Sequence, residues 1–402
     1  MRRLFLLVAA VILVDTMFYA AIAPLLPEYA DELDLSKTAA GVLSASYAAG
    51  TLLASIPAGF AAARLGVRPT MLTGLTLLAA SSAAFAFAEN VVVLDIARFA
   101  QGVGGACAWT AGLTWLMVTA PKERRGEVIG SVLAVAIAGI MLGPVLGGVA
   151  SVAGPEPVFG LVALLAVGIA VRAAGTPAAV PEAAPSPRAV ASAALTMPVM
   201  LAFWLVLLPS TLSGTMNVLV PLRLDELGAS GVAVGAIFLV AAALEAGLSP
   251  RVGALSDRRG RLVPIRVGLV LSAAIVLLLP LPGAVVLLAA TFVVAVLAMS
   301  LLWTPAMALL SDRSEAANLD LAFGAALVNL SWAGGAVLGG SGGSSFAEAT
   351  SDGLTYAVIA ALYVVTALVL VARGGSSAFE AAEQLPEQPV ELGAVALGER
   401  SQ

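Results

Sequence analysis

The sequence predicts an all-α membrane protein with twelve transmembrane helices, arranged as two six-helix bundles related by pseudo-twofold symmetry. Three observations support this class: few charges, long apolar runs and an internal repeat. Only 11% of the 402 residues are charged, against roughly 25% in soluble domains. Runs such as 4–26 and 284–302 hold at most one charge. A helix needs about 20 apolar residues to cross a bilayer, and helices satisfy their own backbone groups in lipid.

Hydropathy places the spans in two sets of six. They lie at 4–26, 39–62, 70–88, 91–118, 127–150, 157–173, 199–221, 231–254, 263–282, 284–309, 317–340 and 353–372. The Ala- and Pro-rich segment 174–197 separates the sets, so we assign an N-terminal bundle to 1–173, a cytoplasmic linker to 174–197 and a C-terminal bundle to 198–373. The polar, acidic tail 374–402 lacks the apolar surface needed to fold, and we expect a disordered cytoplasmic tail.

Basic residues indicate the orientation of the chain. With the N-terminus inside, only Lys37 and Arg223 of the 20 lysines and arginines fall in outer loops, and Arg98 lies within a span. Because cytoplasmic loops of membrane proteins carry an excess of basic residues, we expect a multi-pass protein of the inner (plasma) membrane with both termini in the cytoplasm. A signal peptide is the alternative for the first run, but that run is long for one and carries Asp15.

The two halves repeat in sequence. A shift of 194 residues aligns 27–66 with 221–260, and 13 of the 40 positions are identical. The identities include Gly41/Gly235, Arg64/Arg258 and Gly66/Gly260. An even number of spans gives both halves the same direction, so the expected symmetry axis runs along the membrane normal, with a transport path between the halves.

Composition narrows the chemistry. Histidine is absent and Cys107 is the only cysteine, which excludes intrachain disulfides, Cys/His metal clusters and a histidine proton relay. No G-x-x-x-x-G-K-[ST] motif occurs, which argues against nucleotide-driven transport. We expect no metal, no cofactor and no nucleic-acid partner. The expected form is a monomer in the lipid bilayer that binds protons, through carboxylates, and a small-molecule substrate.

Two related loops follow spans 2 and 8. They read Gly59-Phe-Ala-Ala-Ala63-Arg64-Leu-Gly66-Val and Gly253-Ala-Leu-Ser-Asp257-Arg258-Arg259-Gly260-Arg261. A carboxylate beside arginines can form a charge latch that is made in one state and broken in another, whereas arginines that merely hold the loop inside are the alternative. The second loop resembles the G-x-L-x-D-R-x-G-R signature of the major facilitator superfamily, which implies a twelve-helix transporter. Ala63 replaces the acid in the first loop.

Span 5 contains a second pattern. It reads Gly139-Ile-Met-Leu-Gly143-Pro144-Val-Leu-Gly147-Gly148. Proline removes a hydrogen bond and bends the helix, and the glycines let a neighbouring helix pack closely on the bend; tight packing alone is the alternative. The pattern resembles the G-x-x-x-G-P-x-x-G-G motif of proton-coupled drug antiporters in that superfamily.

Span 4 contains an intramembrane arginine. It reads Arg98-Phe-Ala-Gln101-Gly102-Val-Gly104-Gly105-Ala106. A charge within a span costs about 2.5–3.5 kcal/mol on insertion scales and indicates a functional site. Helical spacing puts residues 98, 101, 105 and 109 (Arg98, Gln101, Gly105 and Trp109) on one face, and a local pair between Arg98 and Asp95 is the alternative. The segment resembles the superfamily's R-x-x-Q-G-x-G-x-A, which implies that Arg98 influences proton transfer.

Asp15 lies near the midplane of span 1. It is 11 residues into the span, about 16 Å deep at 1.5 Å per residue. Burial disfavours the charged form of a carboxylate, so this group can bind and release a proton near neutral pH. Phe18 and Tyr19 follow at helical spacing, and aromatic rings beside a carboxylate suit an organic cation. A structural helix–helix hydrogen bond is the alternative.

The first span also resembles helix 1 of vesicular amine transporters and related drug antiporters, which share D-x-M…P-x-x-P-x-Y. Here the matching residues are Asp15, Met17, Pro24, Pro27 and Tyr29. Alignment of later helices places Ser300 and Ser331 where that subfamily has acids. The resemblance therefore implies only part of the vesicular mechanism.

The remaining candidates lie in the second half. Glu245 in span 8 is the other buried acid, either a proton site or a partner for cytoplasmic arginines. Candidate walls of a substrate pocket, with packing or interface anchoring as the alternative, are Asn217, Trp303, Asn329 and Trp332.

Together these residues favour a secondary transporter: a proton-coupled antiporter that exports small organic compounds, cations among them, by alternating access. Asp15 would carry the proton or cation, Arg98 would tune its release, and the bend at Pro144 would let the halves rock. A facilitator or proton symporter for a small metabolite is the second hypothesis, and a non-transporting membrane receptor or enzyme is the third. We expect proton handling in 1–173 and the stronger cytoplasmic latch in 198–373.

Overall fold

Helices make up the regular structure of the described part of the chain, which contains no strand. The computed structural model describes residues 2–121, 125–177, 192, 194–317, 319 and 321–374. In chain order the elements are α1 (Arg2–Ala20), α2 (Ile22–Glu32), α3 (Lys37–Leu65), α4 (Val67–Ala86), α5 (Val91–Thr119), α6 (Arg125–Ala153), α7 (Pro155–Ala174), α8 (Met197–Glu226), α9 (Gly231–Arg259), α10 (Leu262–Val276), α11 (Val285–Ala316), α12 (Leu321–Val337), a π segment (Leu338–Gly343), α13 (Ser344–Ala349) and α14 (Asp352–Gly374).

These elements confirm the predicted all-α fold with twelve spans. Ten helices in the described ranges are long and apolar enough to cross a membrane, and α10 is a shorter apolar one. The first span consists of α1 and α2, and the eleventh of α12 with the π segment. Large apolar side chains such as Val152, Leu164 and Val286 are exposed, as expected of a surface that contacts lipid. The predicted linker and tail fall largely outside the described residues.

Repeated residues form matching local structures in the two halves. Ser36 and Ser230 cap α3 and α9, each side chain accepting the backbone N–H three residues ahead. Such caps satisfy one of the free N–H groups in the first turn of a helix. Gly66 and Gly260 follow the same two helices with φ of 99° and 82°, a region that favours glycine.

The two ends of the helix assembly differ in their charged residues. At what we call the Lys37 end, α3 begins at Lys37 and α14 at Asp352; at the arginine end, α9 finishes at Arg259. Lys37 Nζ and Asp352 Oδ1 lie 2.7 Å apart and join the first half to the second. Glu348 Oε2 accepts the Thr38 N–H at 2.7 Å. A carboxylate of one half therefore caps a helix of the other.

Glycine packing shows that the halves meet at the Lys37 end. A Cβ added to Gly41 in α3 would overlap the carbonyl oxygen of Gly340 in the π segment. A Cβ added to Gly235, the repeat equivalent of Gly41, would lie 2.7 Å from the carbonyl oxygen of Pro144 in α6. Gly59, at the arginine end of α3, has no described atom within 4 Å of such a Cβ.

The π segment packs on both halves at once. Its i→i+5 hydrogen bonds form a wider turn than those of an α-helix, and such segments occur often at functional sites. Gly339 faces the backbone of α8 so closely that a Cβ would overlap the Thr211 carbonyl oxygen. A Cβ on Gly340 would lie 3.1 Å from Ala45 Cβ in α3.

Candidate functional site

Asp15 is fully buried on α1, and its two carboxylate oxygens differ in their hydrogen bonding. Tyr47 Oη in α3 donates a hydrogen bond of 2.9 Å to Asp15 Oδ2. Trp109 in α5 also interacts with the carboxyl group, but Oδ1 has no hydrogen-bond partner among the described residues. Gly105 in α5 leaves room for this arrangement, because a Cβ there would lie 2.9 Å from both Asp15 oxygens and 2.7 Å from Tyr47 Oη.

Arg98 in α5 is 1% exposed and donates to three acceptors. Nη1 donates to Gln101 Oε1 at 2.9 Å and to the Phe18 carbonyl at 3.3 Å, and Nη2 donates to the Tyr19 carbonyl at 3.2 Å. The guanidinium carbon lies 5.4 Å from the centroid of the Tyr47 ring and 5.8 Å from that of Tyr19. These contacts offset the cost of burying the charge.

The break between α1 and α2 supplies two of these acceptors. Pro24 has no N–H and its ring crowds the Ala20 carbonyl, so helical hydrogen bonding is interrupted there. α1 ends at Ala20, so the Phe18 and Tyr19 carbonyls lie in its last turn, where the regular helical pattern stops; the Phe18 carbonyl also accepts from the Ala21 N–H at 3.3 Å. Among the described residues Arg98 forms no ion pair with Asp95, which interacts with Ser46 instead.

Three aromatic rings, two of them beside Arg98, connect the two halves. The Tyr19 and Tyr47 centroids are 4.7 Å apart. Trp332 in α12 belongs to the second half, and its ring lies 5.4 Å from Tyr19 and 6.3 Å from Tyr47. The structure therefore brings the predicted residues Asp15, Tyr19, Gln101, Arg98, Trp109 and Trp332 together.

Phe18 is placed differently from the prediction that it contacts substrate. It is 1% exposed, and its ring centroid lies 4.9 Å from that of Phe159 and 5.5 Å from that of Phe85. Successive residues on a helix point about 100° apart. Phe18 therefore faces the core of the first half while Tyr19 faces the second half.

The other candidates in the second half are not joined to this cluster. No hydrogen bond or ring contact links the half-buried side chains of Asn217, Trp303 or Asn329 to a described residue. Glu245 is also half-buried, and no described arginine pairs with its carboxylate; Ser249 donates only to its main-chain carbonyl.

The serines aligned with vesicular acids are both fully buried. Ser331 Oγ donates to the Phe203 carbonyl at 2.6 Å. The Ser300 hydroxyl has no partner among the described residues.

The glycines of the span 5 pattern form a seam on the helix that carries Asp15. A Cβ added to Gly139 would lie 2.9 Å from a carbonyl oxygen of α1, and a Cβ added to Gly143 would lie 2.7 Å from another. A Cβ added to Gly147 would lie 3.1 Å from Pro24. The same helix touches the other half, since a Cβ on Gly148 would lie 3.6 Å from Val232 Cα. α6 therefore packs both on α1 and on α9.

The loop signature forms a charge cluster within the second half. Arg261 forms ion pairs with Asp257 and, at 3.1 Å, with Asp312 at the end of α11. Gly260 supplies the positive φ that turns the chain between α9 and α10. Arg258 is exposed. The cluster joins α9 to α11 rather than one half to the other.

Sequence reasoning missed three contributors. Tyr47 is one of only five tyrosines, and its position in the interior of a span was the available signal. Gly105 lies in the Arg98 pattern, but its role depends on what α5 faces. Asp312 lies 51 residues beyond Arg261, and nothing in the local sequence relates them.

Comparison with known protein families identifies the superfamily of this chain. The model of the Major Facilitator Superfamily matches residues 8–316, well over half of the chain. The chain belongs to this superfamily. The chain is a multi-pass membrane protein, and its family and relatives are transporters rather than enzymes.

Curated relatives match part of the chain. The MFS-type transporter ppzB of Metarhizium rileyi is 36% identical over 173 residues, 41% of this chain and 36% of that protein. The probable vesicular acetylcholine transporter-B of Danio rerio is 35% identical over 158 residues, 37% of this chain and 32% of that protein. The matched segments thus span about a third of these relatives' lengths.

Solved structures match the fold along nearly the whole chain. A D-xylose–proton symporter gives a TM-score of 0.70 at 18% identity and covers 91% of this chain and 96% of its own. A bacterial homologue of the human lysosomal transporter Spinster, in an inward-facing and unoccupied conformation, gives 0.74 at 15% identity, with coverages of 95% and 98%. At these identities the likeness concerns the fold.

Proposed function

We propose that this transporter is a proton-coupled antiporter that exports small organic compounds, cations among them, by alternating access. Asp15 carries a proton and the positive charge of the substrate in turn. The observation that supports this proposal is a fully buried carboxylate whose Oδ2 accepts from Tyr47 and whose Oδ1 has no hydrogen-bond partner among the described residues. An ionised group in the membrane interior is costly unless compensated, so this carboxylate has reason to take up a proton or a cation.

The fixed charge of Arg98 favours exchange over co-transport. Ionised Asp15 balances Arg98, and either a proton or a monovalent cation on Asp15 leaves the site with one net positive charge. Exchanging one for the other conserves that charge, whereas binding both would add a second charge where the low dielectric makes it expensive. The charge of the site therefore favours antiport of a cation over proton symport of the same cation.

The aromatic rings suit the organic part of such a substrate. Ring faces attract cations and bury apolar groups. Tyr19 and Tyr47 belong to the first half and Trp332 to the second, so a bound compound would contact both halves.

Glu245 is the second carboxylate that we propose for proton handling, in the half that lacks Asp15.

Alternating access follows from the unequal ends of the assembly. We place the arginine end in the cytoplasm by the positive-inside rule, with both termini there and the protein in the inner (plasma) membrane as a monomer. The contact at the Lys37 end then closes the outer side. Units 1–173 and 198–373 would rock as rigid bodies about the site.

The test uses purified protein in liposomes with tetraphenylphosphonium as the probe. An imposed pH gradient should drive its accumulation in the wild type. Asp15→Asn keeps the side-chain shape but cannot ionise, so we expect accumulation to be abolished while the thermal unfolding profile persists. Asp95→Asn, which alters another carboxylate of the same half, should retain accumulation.

Two outcomes would contradict the proposal. Undiminished proton-driven accumulation in Asp15→Asn would remove Asp15 from the mechanism. Wild-type flux that ignores the pH gradient would favour a facilitator on the same fold.

A further inference from the structure

Tyr47 contacts four other residues of the candidate site. Its hydroxyl donates to Asp15 Oδ2 at 2.9 Å. Its ring centroid lies 4.7 Å from that of Tyr19, 5.4 Å from the Arg98 guanidinium and 6.3 Å from the centroid of Trp332 in the other half. One residue therefore joins the carboxylate of the first half to an aromatic ring of the second.

Glycines of α5 hold Tyr47 in place. A Cβ on Gly102 would overlap the Tyr47 carbonyl oxygen, and a Cβ on Gly105 would lie 2.7 Å from its hydroxyl oxygen. Tyr47 is 4% exposed. The backbones of α3 and α5 are thus in direct contact at this residue, and its side chain has little freedom to take another position.

The charged and titratable groups around Tyr47 are few. Asp15 and Tyr19 face it from α1, and Arg98 faces it from α5. Among the described residues of the second half, the one in ring contact with it is the uncharged Trp332. The charge that can change around this tyrosine is therefore that of Asp15.

We propose that Tyr47 is the positioning residue that keeps the unloaded transporter from changing state. The inference rests on the proposed role of Asp15 in proton and cation binding. When Asp15 is ionised and empty, Tyr47 donates to it a charge-assisted hydrogen bond, about twice as strong as a neutral one. That bond holds the tyrosine ring against Trp332 and so keeps the two halves in contact.

Binding of a proton or of a cation to Asp15 weakens the Tyr47–Asp15 hydrogen bond in the same way. A proton added to an Asp15 oxygen neutralises the carboxylate, and Tyr47 keeps its own proton. A cation seated at the free Oδ1 balances the negative charge. In both cases the Tyr47 hydrogen bond loses its charge assistance, and the contact with Trp332 can separate. The rule that only a loaded carrier moves is what obligatory exchange requires.

The experiment compares Tyr47→Phe with Tyr363→Phe in proteoliposomes. Tyr363 is fully buried in the second half, and its hydroxyl has no partner among the described residues, so its replacement is a matched control. In Tyr47→Phe, tetraphenylphosphonium efflux without a pH gradient or exchangeable substrate should rise about tenfold, because one hydrogen bond to a charged group is lost. Proton-driven accumulation should fall correspondingly, and its pH midpoint should move upward by about one unit.

A second variant guards against a folding defect. Gly105→Ala separates Tyr47 from Asp15 sterically and should produce the same leak, and the double variant should leak no more than either single one. The proposal is overturned if Tyr47→Phe matches Tyr363→Phe in leak and pH profile, or if the leaks of Gly105→Ala and Tyr47→Phe add in full. Asp15→Asn separates the two proposals: proton-driven accumulation that persists there contradicts the antiport mechanism, whereas accumulation lost there with Tyr47→Phe still coupled contradicts only the role proposed for Tyr47.

Discussion

Replacing Gly41 with alanine should force the two halves apart at the Lys37 end. A Cβ at this position would lie 2.8 Å from Ser344 Cβ and would overlap both Ser344 Oγ and the Gly340 carbonyl oxygen. The carbonyl is part of a helical backbone and cannot rotate away. The new methyl group is therefore incompatible with the contact as it stands.

The expected size of the effect follows from this overlap. Overpacking of a close contact costs about 1–3 kcal/mol. That cost applies only to the state in which the halves touch at the Lys37 end. The equilibrium should therefore shift by about 5- to 150-fold toward the state in which the halves are apart at that end.

Gly59→Ala provides the control on the same helix. No described atom lies within 4 Å of a Cβ at Gly59, and both substitutions add a similar helix propensity of about 1 kcal/mol. Their difference therefore isolates the contact between the halves.

Spin labels would measure the separation. Asp34→Cys and Ser351→Cys place the labels at the Lys37 end, in a Cys107→Ser background, and double electron–electron resonance gives the distance distribution. We expect a longer-distance population in Gly41→Ala and not in Gly59→Ala. Indistinguishable distributions in the two variants would refute the reasoning.

Two further predictions concern buried and exposed charges. Arg98→Lys keeps the positive charge but loses the guanidinium fork that donates to two α1 carbonyls. Because each lost hydrogen bond costs about 1.5–3 kcal/mol, this variant should unfold at a lower temperature than the wild type. The control is Arg64→Lys, at an exposed arginine, which should leave the unfolding temperature unchanged. The hydrogen bond from the Thr38 backbone N–H lowers the pKa of Glu348, which lies beyond the eleventh predicted span. Ionised Glu348 therefore stabilises the contact between the halves at the Lys37 end above the usual carboxyl pKa. This stabilisation is lost as the pH falls through the lowered pKa of Glu348. Acidification should lengthen the spin-label distance in the wild type, and Glu348→Gln should lack that pH-dependent component.

Hydropathy located the helices because crossing lipid imposes a length and a composition that each segment must meet by itself. It did not locate their ends: span 7 was predicted to finish at residue 221, whereas α8 continues to Glu226. Polar residues extend helices beyond the hydrocarbon, where hydropathy carries no signal. The break between α1 and α2 was hidden for a related reason, since both sides of Pro24 are apolar.

The candidate site was predictable where a single helix determines it. Spacing placed Arg98, Gln101 and Trp109 on one face of α5, and the structure brings all three to Asp15 or to one another. Tyr47 was not predictable in this way, because its bond to Asp15 depends on how α3 packs against α1. Contacts between helices leave no period in the sequence, which is why only Trp332, of the four pocket walls predicted in the second half, is joined to the site by a described contact.

The π segment gives the second half a means of changing its helical pitch. Were Leu338–Gly343 to rewind as an α-helix, the chain beyond it would turn by about 100° and advance by about 1.5 Å for each residue released. Ser344 would then rotate off Gly41, and Glu348 would be carried away from the first turn of α3. Local rewinding at the glycines would thus convert rotation about one helix axis into separation of the two bundles.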